Sequence, residues 1–221
     1  MDSPETTLFV PLKPEEMLAH AAYYPLHGQI LFRYQDQWVV TQISPEKTYT
    51  HTHYALLPEG APYQLINGKL IFMASPLTIH QQISMTLSLE IGQYIKTHKL
   101  GKLFAAPLDV HFDDANIFQP DVLFVSVKRS NIIQKWIMGA PDFVVEIVSP
   151  RLRKADTETK LKVYGKYEVV EYWIVYPEEQ QVEVYQNHKS NMQLVQTAFK
   201  GNTIQSLAIE GFALEVDKIF E

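Results

Sequence analysis

The chain has 221 residues, of which 46% are hydrophobic, 12% aromatic and 20% charged. This composition is typical of a globular protein and excludes the disordered, collagenous and coiled-coil classes. The net charge is −6 and cysteine is absent, which argues against bulk attraction to nucleic acid, a disulfide framework and a thiolate metal site. No apolar run approaches the roughly 18 to 20 residues of a membrane helix, and the acidic N-terminus lacks a secretion pattern. We therefore expect a cytoplasmic protein with no membrane partner.

Residues 1–53 are predicted to form an N-terminal appendage that precedes a domain at residues 54–221. Pro14, followed by two acidic residues, favours the start of a short helix. Residues 30–34 and 38–41 are apolar stretches on either side of a polar turn, a pattern that predicts a β-hairpin. No catalytic constellation appears in this appendage.

The domain at residues 54–221 combines hairpins with helices. The predicted elements are strands at 63–66 and 70–73, a helix at 80–98, strands at 118–127 and 141–148, a helix at 152–167, a strand at 172–176, and an antiparallel meander across 182–197. The Asn67-Gly68 pair predicts a tight turn between the first two strands, since both residues tolerate positive φ angles. The mixed order favours an α/β or α+β fold over a doubly wound one.

Two carboxylates lie in predicted apolar strands. Asp121 stands at the start of one strand, and Glu146 stands near the end of the next. If these strands pair antiparallel, the two carboxylates become neighbours. Glu146 shares a strand face with Val144 and Val148, and a carboxylate in such a place is costly unless it is paired, protonated or bound to a cation. Two interpretations stay open: a buried ion pair with a lysine such as Lys160, or a site for a hard metal such as magnesium.

The predicted helix that follows Glu146 is basic. The window from residue 151 to residue 166 holds six basic and two acidic residues and has a net charge of +4. These basic residues either form a solvated face of the helix or attract phosphates. Within it, Asp156 and Lys160 are spaced for an ordinary ion pair, although a lysine beside a metal-bound phosphate can also offset the charge of a transition state. Tyr164, one turn further, is interpreted as a packing residue.

Taken together, these residues resemble the family of putative restriction endonucleases known as Uma-two, within the PD-(D/E)xK nuclease superfamily. The resemblance covers roughly residues 55 to 215. The residues that carry it are, in chain order, Leu57-Pro58-Glu59-Gly60, Leu65-Ile66-Asn67-Gly68, Ser75-Pro76, His80, Pro120-Asp121-Val122, Val145-Glu146-Ile147-Val148-Ser149-Pro150, Asp156, Lys160-Leu161, Tyr164 and Glu171-Tyr172-Trp173-Ile174-Val175. The resemblance implies a restriction-endonuclease-like core, in which helices flank a mixed central β-sheet.

The resemblance also implies a function and a set of site residues. The protein would be a magnesium-dependent endonuclease that hydrolyses DNA phosphodiester bonds, with manganese as a substitute metal. Asp121, Glu146 and the carbonyl of Ile147 would hold the metal, which would polarise the phosphate and lower the pKa of a water molecule. Lys160 would assist at the phosphate, and His80 would serve as a phosphate contact or general base.

The chain departs from the family pattern at three positions. Val148 stands where the superfamily has its lysine, which makes Lys160 the candidate and Lys162 the reserve. Gln64 stands where the family tends to carry glutamate, so one metal-ligating charge is missing. Glu168 stands where the family favours glycine, and a positive φ there would cost on the order of 1 kcal/mol.

These departures favour a second hypothesis, a catalytically inactive module that binds nucleic acid or a protein partner. In that hypothesis Lys160 neutralises Glu146. A third hypothesis uses Asp121 and Glu146 as an acid/base pair acting on a sugar, which the basic window disfavours. For the leading hypothesis we expect Lys162, Arg153 and Gln64 to bind the substrate. A homodimer would suit the cutting of two strands, although no motif fixes an interface.

Overall fold

The structure is a computed structural model that describes residues 8–11, 29–34, 37–149 and 153–221. These residues form two compact units. The first unit contains the described residues up to Ser75 together with Asp113–Ile117, and the second contains the described residues of Pro76–Phe112 and Phe118–Glu221. The helix predicted to start at Pro14 lies outside the described residues, and the domain boundary after residue 53 stays a prediction.

The secondary structure mixes many short strands with few helices. The strands are β1 Phe9–Pro11, β2 Leu31–Tyr34, β3 Gln37–Thr41, β4 Tyr63–Ile66, β5 Lys69–Phe72, β6 Gly101–Ala105, β7 Val110–Asp113, β8 Asn116–Phe118, β9 Val122–Ser126, β10 Ile137–Met138, β11 Phe143–Ile147, β12 Glu171–Tyr176, β13 Gln181–His188, β14 Asn191–Phe199, β15 Thr203–Gln205 and β16 Ala213–Glu215. The helices are α1 His51–Tyr54, α2 Thr78–His98 and α3 Leu161–Lys166, with a π-helix at Ala155–Lys160 and 3-10 helices at Val127–Ile132 and Val216–Ile219. No helix in the described ranges combines the length and the apolar character that a membrane crossing requires.

The first unit is built on two hairpins. Strands β2 and β3 pair antiparallel, which confirms the predicted N-terminal hairpin, and β1 adds to β3 as a third strand. Strands β4 and β5 form the second hairpin. Its turn has φ angles of 48° at Asn67 and 72° at Gly68, as the Asn-Gly pair predicts. Tyr49, Tyr63 and Leu65 form part of the core of this unit.

The second unit is organised around a six-stranded sheet with the order β14-β13-β12-β11-β9-β6. Strands β11 and β12 are parallel, and the other neighbours in this sheet are antiparallel. The sheet is therefore mixed, as predicted. A parallel pair requires a crossover connection, and here the π-helix and α3 lie within that connection.

Helix α2 covers one face of this sheet. Its buried residues are Ile83, Leu87, Ile91 and Ile95, and their spacing produces a single apolar stripe. The stripe joins a core that includes Phe143, Val145 and Ile147 of β11. Because side chains alternate along a strand, Val144 and Glu146 lie on the opposite face. The predicted helix at 80–98 is confirmed and begins two residues earlier.

Two predicted elements differ in extent from those observed. The apolar run at 118–127 contains the end of β8 and the whole of β9, separated by Gln119, Pro120 and Asp121, since proline cannot donate to a strand ladder. The basic helix predicted at 152–167 is helical from residue 153 within the described residues, with a π-helical segment at Ala155–Lys160, and continues as α3. The predicted meander is confirmed by β13 and β14.

Glu168 follows α3 with a φ of 61°, in the left-handed region that costs a side-chain-bearing residue on the order of 1 kcal/mol. We expect Glu168→Gly to raise the free energy of unfolding by about 0.5–1 kcal/mol, measured by urea denaturation. Glu168→Ala keeps the Cβ atom and is the control, for which no gain is expected. An equal gain in both variants would locate the effect in the lost carboxylate instead of the backbone.

Candidate functional site

The two candidate carboxylates are neighbours at one end of the antiparallel pair formed by β9 and β11. The register sets Val145 opposite Val122, and its continuation by one residue sets Glu146 opposite Asp121. A hydrogen bond fixes this end of the pair, because the backbone N–H of Ile147 donates to Oδ2 of Asp121 at 2.7 Å. The antiparallel arrangement on which the sequence argument depended is therefore present.

Glu146 is buried, and helical residues from the crossover reach it. Lys160 Nζ lies 2.8 Å from Oε1 of Glu146, and the hydroxyl of Tyr164 donates to the same oxygen at 2.6 Å. Lys160 Nζ also lies 3.0 Å from Oδ1 of Asp156. The side chain of Lys160 is only 1% exposed, so the amine stays between the two carboxylates. The ion pair foreseen as one interpretation of Glu146 is thus observed.

The charges of this cluster do not balance. One lysine is the counter-ion of two buried carboxylates. Burial raises the pKa of Glu146 to about 8, although the charge of Lys160 lowers it, and the charges of Asp156 and Asp121 raise it further. Burial likewise raises the pKa of Asp156. Burial alone would lower the pKa of Lys160, but Asp156 and Glu146 outweigh it, and the pKa of the amine is raised. The cluster is therefore short of one positive charge, which a proton or a bound cation would supply.

His80 lies in the first turn of α2, beside Asp121. Its Nε2 atom is 3.3 Å from Oδ2 of Asp121, and both side chains are about 15% exposed. Burial lowers the pKa of His80, but the hydrogen bond to Asp121, the charges of Asp121 and Glu146 and the Ile147 backbone together raise it. The structure therefore gathers His80, Asp121, Ile147, Glu146 and Lys160 into one cluster.

The three residues predicted to bind substrate differ in exposure. Arg153 is exposed and pairs with Glu179 at 2.7 Å, and Lys162 lies on the exposed side of its helix. Gln64 belongs to the first unit, where it is buried and its amide nitrogen donates to the sulfur of Met73 at 3.2 Å. Their substrate-binding roles stay predictions.

Sequence reasoning missed two members of the cluster. Tyr164 does pack, with ring contacts to Phe112, Phe118 and Tyr172, but its hydroxyl also bonds to Glu146. Asp156 was interpreted as half of an ordinary ion pair with Lys160, whereas it is buried together with the lysine. The signal was present in the spacing, since residues 156, 160 and 164 recur every four positions and so share one helix face.

The donor atoms around Asp121 and Glu146 suit a hard cation. In the described part of the chain, the polar contacts of Glu146 are made through Oε1 and those of Asp121 through Oδ2. Each carboxylate thus keeps a second oxygen, and the backbone carbonyl of Ile147 is a third oxygen donor nearby. Among all the residues that the structure describes, no group of three or more His, Asp or Glu side chains is arranged to hold a metal ion. Magnesium commonly uses one or two carboxylates and keeps several waters.

Comparisons with known proteins agree with this fold. A crystal structure of a putative nuclease belonging to DUF820, from Anabaena variabilis ATCC 29413, is similar with a TM-score of 0.65 at 22% sequence identity, over 77% of this chain and 97% of that one. At this identity the likeness shows the fold alone, a mixed α/β architecture similar to that of the putative nuclease. No curated protein matches the chain. The model of the Uma2 family, described as putative restriction endonuclease, matches residues 50–217. Because that match spans more than half of the sequence, the chain belongs to the Uma2 family.

Proposed function

We propose that this protein is a magnesium-dependent endonuclease that hydrolyses DNA phosphodiester bonds. The observation that carries the proposal is the proximity of Asp121 and Glu146 on adjacent antiparallel strands, together with the contact between Glu146 and Lys160 of the crossover helix. Family membership supports a nuclease, and the deficit of positive charge in the cluster supports a cation. DNA is the proposed partner, and a homodimer would allow both strands to be cut.

Asp121, Glu146 and the carbonyl of Ile147 hold the magnesium ion in this proposal. When bound, the ion polarises the phosphate and lowers the pKa of a water molecule. The N–H of Ile147 fixes Asp121 by the bond at 2.7 Å, so this carboxylate is oriented before any ligand arrives. Such preorganisation avoids a reorganisation cost during the reaction.

His80 and Lys160 have separate roles. His80 is partly exposed and touches Asp121, so its imidazole accepts a proton or donates to a phosphate oxygen at the rim of the site. Lys160 is buried, so it acts through its charge, which offsets the negative charge that develops at the phosphate, and through its contact with Glu146.

A second candidate function is favoured by the same ion pair. An inactive, binding module requires Glu146 to be neutralised by Lys160, and Nζ of Lys160 lies 2.8 Å from Oε1 of Glu146. Gln64, at a position where the family tends to carry glutamate, also favours the inactive module, because an amide brings no charge to a metal site. The two candidates differ in whether the site binds a divalent metal.

Calorimetric titration of manganese into the wild type and into Asp121→Asn separates these candidates. The endonuclease proposal expects binding by the wild type and no detectable binding by the variant, because an amide carries no charge to attract the cation. Glu90→Gln removes an exposed acid from α2 and is the matched control, with wild-type affinity expected. Equal affinity in Asp121→Asn would defeat the assignment of ligands. Absence of binding in the wild type, with DNA also present, would favour the inactive module.

A further inference from the structure

Tyr164 holds the carboxylate of Glu146 by one of its two oxygens. The phenolic hydroxyl donates to Oε1 at 2.6 Å, in a fully buried environment. Lys160 approaches the same oxygen at 2.8 Å. A hydrogen bond and an ion pair on the same oxygen oppose rotation of the carboxylate, and Oε2 therefore points away from both Tyr164 and Lys160.

The ring of Tyr164 is itself held firmly. Its centroid lies 4.8 Å from that of Tyr172 and 5.6 Å from those of Phe112 and Phe118, each in an edge-on arrangement. Aromatic pairs of this geometry are favourable beyond their buried area. The hydroxyl therefore has a fixed position, set by packing that does not involve Glu146.

We propose that Tyr164 is a positioning residue that determines which oxygen of Glu146 is offered to the divalent cation. This inference rests on the proposed function, since it concerns a metal bound by Asp121 and Glu146. Residues that hydrogen-bond to ligating carboxylates orient them, and their loss typically weakens metal affinity about 10- to 100-fold. Lys160 alone does not replace Tyr164, because its amine is shared with Asp156 at 3.0 Å.

Tyr172 provides a matched control for Tyr164. Both tyrosines are buried and their rings are in contact. The hydroxyl of Tyr172 donates to the backbone carbonyl of Asp156 at 3.0 Å instead of to a candidate ligand. Tyr164→Phe and Tyr172→Phe thus each remove one buried hydroxyl and one hydrogen bond, but only the first change affects Glu146 directly.

The test is calorimetric titration of manganese into the wild type and both variants, with urea denaturation of each. We expect Tyr164→Phe to bind manganese about 10- to 100-fold more weakly than the wild type and Tyr172→Phe to stay within twofold. Similar unfolding midpoints for the two variants would show that the difference in affinity is not a difference in folding. Wild-type affinity in Tyr164→Phe, or an equal loss in both variants, would overturn the positioning role and leave the proposed function standing. Failure of the wild type to bind would overturn both.

Discussion

Lys160→Met is expected to lower the free energy of unfolding by about 3–5 kcal/mol, the usual cost of breaking a buried ion pair by removing one partner. The amine is the counter-ion of both Glu146 and Asp156, at 2.8 Å and 3.0 Å. Without it, two buried carboxylates face each other with no cation. Urea denaturation of the metal-free protein would measure the loss. Lys162→Met, two residues along and exposed, is the control, with a change within about 0.5 kcal/mol.

The loss caused by Lys160→Met should depend on pH. Burial raises the pKa of Glu146 to about 8 and also raises that of Asp156. A carboxyl whose pKa is raised by folding contributes stability below its unfolded pKa of about 4, and that contribution is lost as the pH rises through the folded value. Without the lysine both folded pKa values rise further, so the deficit against the wild type should be larger at pH 8 than at pH 5. A deficit that does not change with pH would show that lost packing, not unpaired charge, is its cause.

Glu146→Gln is expected to abolish manganese binding while leaving the metal-free protein as stable as the wild type or more stable. Tyr164 donates to the Oε1 position, and Lys160 Nζ lies 2.8 Å from it. The amide oxygen therefore occupies that position and the NH₂ group occupies the other. A donor then replaces the oxygen that would meet the cation. At the same time, Lys160 and Asp156 become a balanced pair, which should raise the free energy of unfolding by on the order of 1 kcal/mol at pH 8.

Glu183→Gln is the matched control for Glu146→Gln. Glu183 is also a sheet glutamate that accepts tyrosine hydroxyls, from Tyr176 at 2.8 Å and Tyr185 at 2.9 Å, but it lies on β13, outside the candidate site. Calorimetry should show wild-type manganese affinity for this variant. Retained affinity in Glu146→Gln would remove Glu146 from the ligand set, and a large loss of stability would contradict the charge imbalance described for the cluster.

Local pattern was sufficient to predict most of the frame of the site. The Asn67-Gly68 turn, the stripe of α2 and the apolar strand β11 follow from properties of neighbouring residues, and each is confirmed. The prediction that Asp121 and Glu146 are neighbours needed one assumption, which was that their strands pair antiparallel. The choice of Lys160 needed the family resemblance, since composition alone does not distinguish it from Lys162.

The contacts of long side chains could not be predicted, because they depend on where a helix sits above a sheet. Tyr164 was expected to pack, but its hydroxyl reaches Glu146 from eighteen residues away in sequence. Arg153 was expected to contact substrate, which stays a prediction, and its contacts with Glu179 and with the ring of Tyr176 were not foreseen. Local periodicity does not predict these contacts, since Tyr164 and Arg153 both occupy ordinary helical positions.

The π-helical segment Ala155–Lys160 marks a place beside the site where the chain can change its length. A π-turn contains one residue more than an α-turn, and such turns are frequent at functional sites. Deletion of one residue from positions 157–159 would restore α-helical pitch and place Asp156 three residues before Lys160, a spacing that still brings the two side chains together on one face of the helix. Lys160 would therefore keep both of its counter-ions, and Tyr164 would keep its position relative to Lys160. We expect relatives that lack one residue at this place to retain the complete cluster.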